Sequence, residues 1–461
     1  MKIRPIPNIL LNLYSSIFTL QSALHVLDST AMKFRAVKGT YDILPSNLAK
    51  DVYEDQNRWH YVYEVVNRVL GHAGVKELTT PVLEQAEVFV KSVGESSDIV
   101  VQKEMYTLQD AGGRLLALRP EFTGGVMRAF IEHGLHVQPM PVKLWNRGPI
   151  FRAEVQPQRG RFRQFHQVNC EIIGLDNPAT DAEAITLLYN VLSELGLKNM
   201  VVKLGSVGDP QDRVAYNQYL RETLEHAKLS ETSRERLKLN PMRVLDSKDK
   251  SDQEIVKVLK KPLEFLNTEA RAHFDAVQKY LSDWEIPVEV DDSIVRGLDY
   301  YRRTAFEVHH NSIGAQSALC GGGRYDGLIE SLGGSKTPGV GWAFGVERVL
   351  DAMQQDGVTV AESSKPILYF VALDDEAVSE TMKASFALRN YHHIQHGYTA
   401  RKPGKGLQEA DRSGATYAAL RGKVERENQS YQVKNLRSGE QVEVKENELK
   451  NFLERSTKGE E

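Results

Sequence analysis

The run from Phe151 to Leu175, FRAEVQPQRGRFRQFHQVNCEIIGL, constrains the fold more than any other part of the chain. It predicts a strand, a turn broken by Pro157 and Gly160, and a returning strand. Because successive side chains of a strand point to opposite faces, the returning strand has two different faces. One face carries Phe165, Gln167, Asn169 and Glu171, and the other carries His166, Val168, Cys170 and Ile172. The first set is too polar for a core and predicts the wall of a ligand pocket.

The turn between these two strands is strongly basic. It holds one carboxylate, Glu154, and four arginines, namely Arg152, Arg159, Arg161 and Arg163. A guanidinium contacts phosphate oxygens through a planar fork and stays charged at any working pH, so the turn predicts an anion site. The alternative is an exposed hairpin with a solvated tip, since basic clusters are common and weakly specific.

The length of 461 residues exceeds a single ordinary hydrophobic core, so two or three domains are expected. The net charge of −4 argues against a globally basic nucleic-acid binder, and contacts with a polyanion must therefore come from local patches. The two cysteines, Cys170 and Cys320, have neither CxxC nor Cys/His ligand spacing. Neither a disulfide framework nor a structural metal site is expected, and the reducing cytoplasm is the expected compartment.

Changes in composition along the chain predict its domains. Residues 1–31 contain an apolar run that polar residues interrupt, so no membrane-spanning helix is expected. A weak targeting segment and a start codon assigned too far upstream are both open, and we favour the second because Met32 opens MKFRAVKGTYDILP. Residues 32–353 form the main domain, with a charged, glycine-free helical insertion at about 209–290. A polar linker (354–365) precedes strand–helix alternation over 366–461, which predicts a small α/β domain.

Two further segments place arginines beside glycines or tyrosines. Arg348 follows Gly341 and Gly345, and glycines let a ligand approach the backbone closely. Arg296 lies in RGLDYY, beside two tyrosines that offer hydroxyl groups. A surface arginine and half-buried tyrosines are the plain alternatives. The sequence has no Walker-type or Rossmann-type glycine loop, so a nucleotide would bind on an antiparallel scaffold.

Taken together, these segments resemble the histidyl-tRNA synthetases, which are class II aminoacyl-tRNA synthetases. The matching segments, between Met32 and Leu453, are VKGTYDILP, LRPEFT, FRAE followed by GRFRQFHQVNCEIIG, NPMRVLDSK, VRGLDYYRRTAFE, CGGGRYDGL and GVGWAFGVERVL. The resemblance implies an α+β fold, in which a catalytic domain has an antiparallel sheet flanked by helices and precedes an α/β anticodon-binding domain. It also implies a cytoplasmic homodimer that joins L-histidine to tRNA(His) using ATP, with Mg²⁺ accompanying the ATP and no contact with a membrane.

The resemblance also implies roles for individual residues. Arg152 and Arg296 are implied as catalytic. Arg152 holds the α-phosphate and the histidine carboxylate, and Arg296 stabilises charge on the α-phosphate as the carboxylate attacks. The implied ATP-binding residues are Arg152, Arg161, Phe165, which stacks on adenine, Arg324, which faces the phosphates, and Arg348, which clamps the γ-phosphate. The implied histidine-binding residues are Glu121, Phe122, Thr123, Arg152, Gln167, Glu171, Arg296, Tyr300 and Tyr301. Of these, Glu121, Thr123 and Gln167 hold the α-amino group. Glu171 and Tyr301 read the imidazole ring, with Tyr300 beside them.

Three positions depart from the family pattern. Phe122 stands where LRPEGT has glycine, and it is expected to narrow the pocket mouth. Val155-Gln156-Pro157 replaces Arg-Pro, so the hairpin turn is one residue longer and lacks an arginine that would serve the tRNA acceptor end. In the last domain, LRGKVERENQSY replaces a more acidic turn.

Two other functions remain open from the sequence. The first is a non-catalytic paralogue resembling the histidine-binding regulatory subunit of ATP phosphoribosyltransferase. Such proteins usually lack the C-terminal domain and an intact RGLDYY segment. The second is another class II synthetase, of the glycyl, threonyl or prolyl type, and Glu171 together with Tyr300 and Tyr301 argues against it.

Overall fold

The computed structural model describes residues 34–93, 104–245, 247, 249–292, 294, 300–311, 318–361 and 365–458. Within these ranges the chain forms two compact units, which divide between Thr359 and Val360, inside the stretch predicted as a linker. The predictions made for Arg296 and for residues 1–31 fall outside the described residues.

The first unit is organised around one large sheet. Its strands, in chain order, are β1 (Lys76–Glu77), β2 (Leu83–Gln85), β3 (Thr107–Gln109), β4 (Leu115–Leu118), β5 (Val142–Phe151), β6 (Gln164–Ile173), β7 (Met200–Ser206), β8 (Val288–Val290), β9 (Arg302–His310), β10 (Ala318–Arg324) and β11 (Gly339–Gly345). Eight of them form the sheet in the order β1-β5-β6-β11-β10-β9-β7-β8. In this order, each strand from β5 through β6, β11, β10 and β9 to β7 pairs antiparallel with the next, as predicted. The edge strands β1 and β8 pair parallel with their neighbours. Strands β2, β4 and β3 form a small separate sheet.

The helices of the first unit surround this sheet. They are α1 (Gln56–His72), α2 (Ala86–Val93), α3 (Thr123–Glu132), α4 (Pro178–Glu194), α5 (Pro210–Leu224), α6 (Glu231–Leu239), α7 (Lys250–Lys257), α8 (Thr268–Asp283), α9 (Leu328–Ser331) and α10 (Val346–Gln355). Helix α4 lies against β6, β9 and β11. It begins where Asn177 accepts a hydrogen bond from the backbone of Ala179 and Pro178 takes the first turn, a favourable start for a helix.

The predicted hairpin is formed by β5 and β6. The two strands pair antiparallel, ending with Phe151 opposite Gln164, and residues 152–163 make the turn. Val168, Cys170 and Ile172 are at most 2% exposed, so one face of β6 belongs to the core. The two-faced strand predicted from the alternation is confirmed.

Helices α5, α6 and α7 form the insertion and share an apolar core, into which Tyr301 also packs. Helix α8, by contrast, packs on α4, where His273 Nε2 lies 2.7 Å from Asp181 Oδ2. Strand β8 is an edge of the main sheet. In the structure the insertion therefore ends before Thr268, and the predicted end near 290 lies too far along the chain.

The second unit is an α/β domain, as predicted. Its elements are β12 (Leu368–Ala372), α11 (Asp375–Leu388), β13 (Ile394–His396), α12 (Pro403–Arg412), β14 (Tyr417–Arg421), α13 (Lys423–Glu427), β15 (Ser430–Asn435), β16 (Gln441–Lys445) and α14 (Leu449–Lys458). The strands form one sheet in the order β13-β12-β14-β15-β16. Arg426, in the atypical LRGKVERENQSY segment, pairs with Asp374 and Glu380 of the same unit. In the described parts of both units, no helix has the length and apolar character needed to span a bilayer.

Candidate active site

A cavity of about 820 Å³ opens on one face of the main sheet, over β6, β10 and β11. The hairpin turn, the start of α3 and part of the insertion form its walls. The predicted site residues that line it are Glu121, Phe122, Thr123, Arg152, Arg161, Phe165, Gln167, Glu171, Tyr300, Tyr301 and Arg348. The polar face of the returning strand is thus a cavity wall, which confirms the prediction made from its alternation.

Glu121 stands at the start of α3. Its carboxylate accepts hydrogen bonds from the backbone N–H groups of Thr123, at 2.5 Å, and Gly124, at 2.8 Å. These N–H groups have no partner within the helix, so the glutamate satisfies them and is itself held rigidly. Burial raises the pKa of Glu121, while these hydrogen bonds and the charge of Arg152 lower it. The start of α3 therefore fixes an acceptor at the edge of the cavity.

Glu171 lies deeper, on β6, and is 1% exposed. Its carboxylate accepts hydrogen bonds from Asn169 Nδ2, at 2.9 Å, and from the hydroxyl of Tyr325, at 2.5 Å. A Cβ added at Gly341 of β11 would collide with this carboxylate, so only glycine leaves room for it. Burial raises the pKa of Glu171 to about 7, although its hydrogen bonds act in the opposite direction. The group can therefore gain or lose a proton near neutral pH.

Three tyrosines line the same cavity as Glu171. The ring centroids of Tyr300 and Tyr301 are 4.6 Å apart, and those of Tyr300 and Tyr325 are 5.9 Å apart. Tyr301 packs directly on β10, where a Cβ added at Gly323 would lie 2.7 Å from its ring. Burial raises the pKa of Tyr300 and of Tyr325 well above the usual range, so both keep neutral hydroxyl groups.

Arg152, Arg161 and Arg348 line the same cavity. Arg152 donates from Nε to the carbonyl oxygen of Pro120 at 3.1 Å, and its guanidinium lies 5.3 Å from the ring centroid of Phe165. Arg348 donates from Nη1 to a backbone carbonyl of β10 at 2.8 Å. Burial lowers the pKa of Arg152 and of Arg348, and for Arg348 the charges of the other two arginines lower it further. An anionic ligand would relieve this repulsion.

The other two arginines of the turn bind protein groups instead. Arg159 pairs with Asp51 at 2.9 Å and with Asp351 at 2.5 Å, and it lies over the ring of Tyr53. Arg163 donates from Nε to the carbonyl oxygen of Glu154 at 3.0 Å. Of the four arginines predicted to form the anion site, only Arg152 and Arg161 line the cavity.

Arg324, predicted to face the ATP phosphates, does not line the cavity. It is 0% exposed and pairs with Asp181 of α4 and, at 3.0 Å, with Asp326. Thr304 also donates to Asp181, at 2.5 Å. The predicted contact between Arg324 and ATP is therefore wrong. Tyr325, the residue directly after β10, lines the cavity instead.

Phe122 lines the cavity but does not fill its mouth. The residue is 2% exposed and belongs to a core cluster with Val126, Ile150 and Tyr325. The guanidinium of Arg119 lies 4.5 Å from its ring centroid. The expected narrowing is therefore wrong, because the ring packs into the core beneath the start of α3.

Several cavity residues were missed by reasoning from the sequence. Tyr325, next to the predicted Arg324, is one of them. Arg236 and Arg243 of the insertion also line the cavity. Arg243 stands in the NPMRVLDSK segment that matches the family, but nothing local links either arginine to the cavity, because the approach of the insertion to the sheet is set by packing between distant parts of the chain.

Two protein-family models together match nearly the whole chain. A family model described as histidyl-tRNA synthetase matches residues 50–349, and one described as an anticodon binding domain matches residues 367–456. The chain belongs to the histidyl-tRNA synthetase family. The resemblance drawn from its motifs is confirmed.

Members of this family align closely with the chain. A histidine–tRNA ligase from Thermus thermophilus is 50% identical over 427 residues, which span 92% of this chain and 99% of that protein. One from Deinococcus radiodurans is 47% identical, over 91% of this chain and 99% of that protein. The crystal structure of apo S. aureus histidyl-tRNA synthetase has a TM-score of 0.75 at 32% identity, covering 91% of this chain and 100% of that one.

Proposed function

We propose that this chain is a histidine–tRNA ligase. It activates L-histidine with ATP to form histidyl-adenylate and diphosphate, and it then transfers the histidyl group to the 3′ end of tRNA(His). The observation that carries the proposal is that one cavity combines the Glu171–Tyr325 pair with a cluster of arginines. The relatives that match over nearly the full length are themselves histidine–tRNA ligases.

The imidazole ring of histidine is assigned to the end of the cavity formed by Glu171, Tyr300 and Tyr301. The carboxylate accepts from one ring N–H, and a tyrosine hydroxyl serves the other nitrogen. A side chain without these ring nitrogens would leave buried polar groups unpaired, which is a strong source of discrimination. Tyr325 orients Glu171 through its hydroxyl.

The α-amino group of histidine is assigned to Glu121, Thr123 and Gln167, and Phe122 supports them through its packing. Gln167 Oε1 is buried and has no hydrogen-bond partner among the described residues. An unsatisfied buried acceptor is costly, and an ammonium group from the substrate would satisfy it. The carboxylate of Glu121 supplies the opposite charge.

ATP is assigned to the arginines and Phe165. Phe165 stacks on adenine, Arg348 and Arg161 bind the outer phosphates, and Arg152 holds the α-phosphate and the histidine carboxylate. A carboxylate oxygen of histidine attacks the α-phosphorus, the bond from that phosphorus to the bridging oxygen breaks, and diphosphate leaves. The role of Arg296, outside the described residues, is to stabilise charge on the α-phosphate.

This reaction needs no general base, since the attacking carboxylate is already ionised at neutral pH. Positioning and electrostatic stabilisation supply the rate instead, which accounts for the prominence of arginine. Mg²⁺ accompanies ATP. The carboxylates of Glu154 and Glu307 line the cavity and are oxygen ligands of the kind that this ion takes.

The remaining partners follow from the same proposal. The second unit binds the anticodon of tRNA(His), and the enzyme acts as a homodimer in the cytoplasm. Size-exclusion chromatography with light scattering tests the dimer directly. A non-catalytic regulatory role is less favoured, because the chain carries the anticodon-binding domain and matches ligases at up to 50% identity.

The deciding experiment is ATP–diphosphate exchange with the purified full chain across the standard amino acids. Exchange that depends on histidine alone is expected. Exchange stimulated by glycine, threonine or proline would indicate a different synthetase, and binding of histidine without exchange would support the regulatory role. Charging of a tRNA(His) transcript then tests the second step.

A further inference from the structure

The first residue of the insertion contacts the strand that begins directly after the paired tyrosines. Asp209, 5% exposed, precedes α5. Its Oδ1 accepts hydrogen bonds from Arg302 Nε at 2.6 Å and from Arg303 Nε at 2.9 Å. Its Oδ2 accepts from Asn267 Nδ2 at 3.2 Å. One carboxylate therefore joins both ends of the insertion to the start of β9.

The backbone conformation at this junction is also fixed by hydrogen bonds. Arg303 has a φ of 53°, a left-handed conformation that is unfavourable for a residue with a Cβ. Its N–H donates to the carbonyl oxygen of Gly208 at 2.9 Å, and its carbonyl oxygen accepts from Val207 N–H at 2.9 Å. The register of β9 against β10 shifts at the same place. Such a conformation persists only where the surroundings over-determine it. Asp209, at 2.9 Å, is closer to the Arg303 guanidinium than Asp176 and Glu269, each at 3.5 Å.

The apolar side of the junction holds Tyr301 itself. Tyr301 is 7% exposed and packs in the core of the insertion. Met242 and Val244, from the NPMRVLDSK segment, belong to the same cluster. The ring of Tyr301 is thus held between the insertion and Gly323 of β10. A shift of the insertion would move this ring.

We propose that Asp209 is a positioning residue for histidine recognition, which acts through Arg302 and Arg303 to hold Tyr301 in the cavity. The insertion then forms part of the amino-acid site rather than an appendage to it. This inference rests on the proposed function, because it takes histidine as the ligand beside Tyr301. Since coupling between two sites is reciprocal, histidine must also stabilise the insertion.

The first test is Asp209→Asn in histidine-dependent ATP–diphosphate exchange with the full chain. The KM for histidine is expected to rise on the order of tenfold, because small displacements of positioning groups are costly, with the KM for ATP changed less than about twofold. The matched control is Asp252→Asn. Asp252 is also a buried carboxylate of the insertion, but it accepts from Ser230, Ser233 and Ser247 and not from β9. Equal effects of the two variants, or equal rises in both KM values, would overturn the proposal.

The second test needs no variant, so it stands even if Asp209→Asn does not fold. Hydrogen exchange of the wild-type chain is compared with and without histidine. Protection is expected in α5, although none of its described residues lines the cavity. Unchanged exchange there would refute the coupling. If the wild-type chain shows no histidine-dependent ATP–diphosphate exchange, the proposed function itself fails. If the wild-type chain shows this exchange and Asp209→Asn has the same KM for histidine as the wild type, only the positioning role fails.

Discussion

Replacement of Glu171 by glutamine is expected to stabilise the free protein at alkaline pH while impairing histidine recognition. Burial raises the pKa of this carboxyl group from 4.5 to about 7. The folded state therefore holds the proton more tightly than the unfolded state does. Proton binding by Glu171 therefore stabilises the folded state at low pH. This stabilisation is lost as the pH rises from about 4.5 to about 7, and the stability changes little with pH above that. Glutamine does not ionise and has no such dependence.

The size of the effect follows from the pKa shift. One pKa unit corresponds to about 1.4 kcal/mol, so full ionisation of Glu171 lowers the free energy of unfolding by about 3 kcal/mol. Linkage places about 1 kcal/mol of this cost at pH 5 and nearly all of it, about 3 kcal/mol, at pH 8. Glutamine also brings an NH₂ group next to Asn169 Nδ2, but that penalty is the same at both pH values. The diagnostic quantity is the change in the stability difference between the two pH values, about 2 kcal/mol in favour of the variant.

The assay is urea unfolding of both proteins without histidine at pH 5 and pH 8. Glu330→Gln serves as control, because this side chain is exposed, and no pH-dependent difference is expected for it. In ATP–diphosphate exchange, Glu171→Gln should raise the KM for histidine more than the KM for ATP. A stability difference that stays constant between the two pH values would show that Glu171 does not carry the shifted pKa, and the reasoning would fail.

Three further predictions concern the same cavity. Gly341→Ala should displace the Glu171 carboxylate and lower kcat/KM for histidine about tenfold or more in ATP–diphosphate exchange. The control Gly404→Ala has open space around its Cβ position, so its kcat/KM for histidine should be unchanged. Arg324→Met should destabilise the fold by about 3 kcal/mol in urea unfolding by stranding a buried carboxylate. A raised KM for ATP with unchanged stability would instead restore its predicted contact with ATP. Arg152→Lys should keep the melting temperature but reduce exchange about a hundredfold, and near-normal exchange would remove Arg152 from the catalytic step.

The part of the site that lies on one strand was predictable from the sequence. Strand alternation alone separates Gln167 and Glu171 from the core residues between them, because a strand turns every second side chain to the same side. The resemblance to the family then supplied residues from other segments, such as Glu121 and Arg348, which the cavity brings together. Local pattern and family motif agree on this face of the sheet.

Long-range partners were not predictable from the sequence. Arg324 sits in a glycine-rich motif beside the cavity, yet its partner Asp181 lies on α4, and no local feature links the two. Helix α8 reads as a continuation of the insertion by composition, although His273 ties it to the helix over the sheet. Charge and helical periodicity identify what a segment is made of. They do not identify which of two neighbouring bodies it packs against.

Four arginines of the first unit fall into two groups by the direction of their pKa shift. Nearby carboxylates raise the pKa of Arg303 and of Arg324 against the effect of burial, so these charges are already compensated within the fold. Burial lowers the pKa of Arg152 and of Arg348, so the free protein holds these charges at a cost that an anion can remove. Arg119 shows that the shift alone is not enough. Its pKa is lowered to about 10 by burial, but its guanidinium is engaged by backbone carbonyls outside the cavity. An arginine is a candidate for phosphate binding where a pKa lowered by burial and an open cavity coincide.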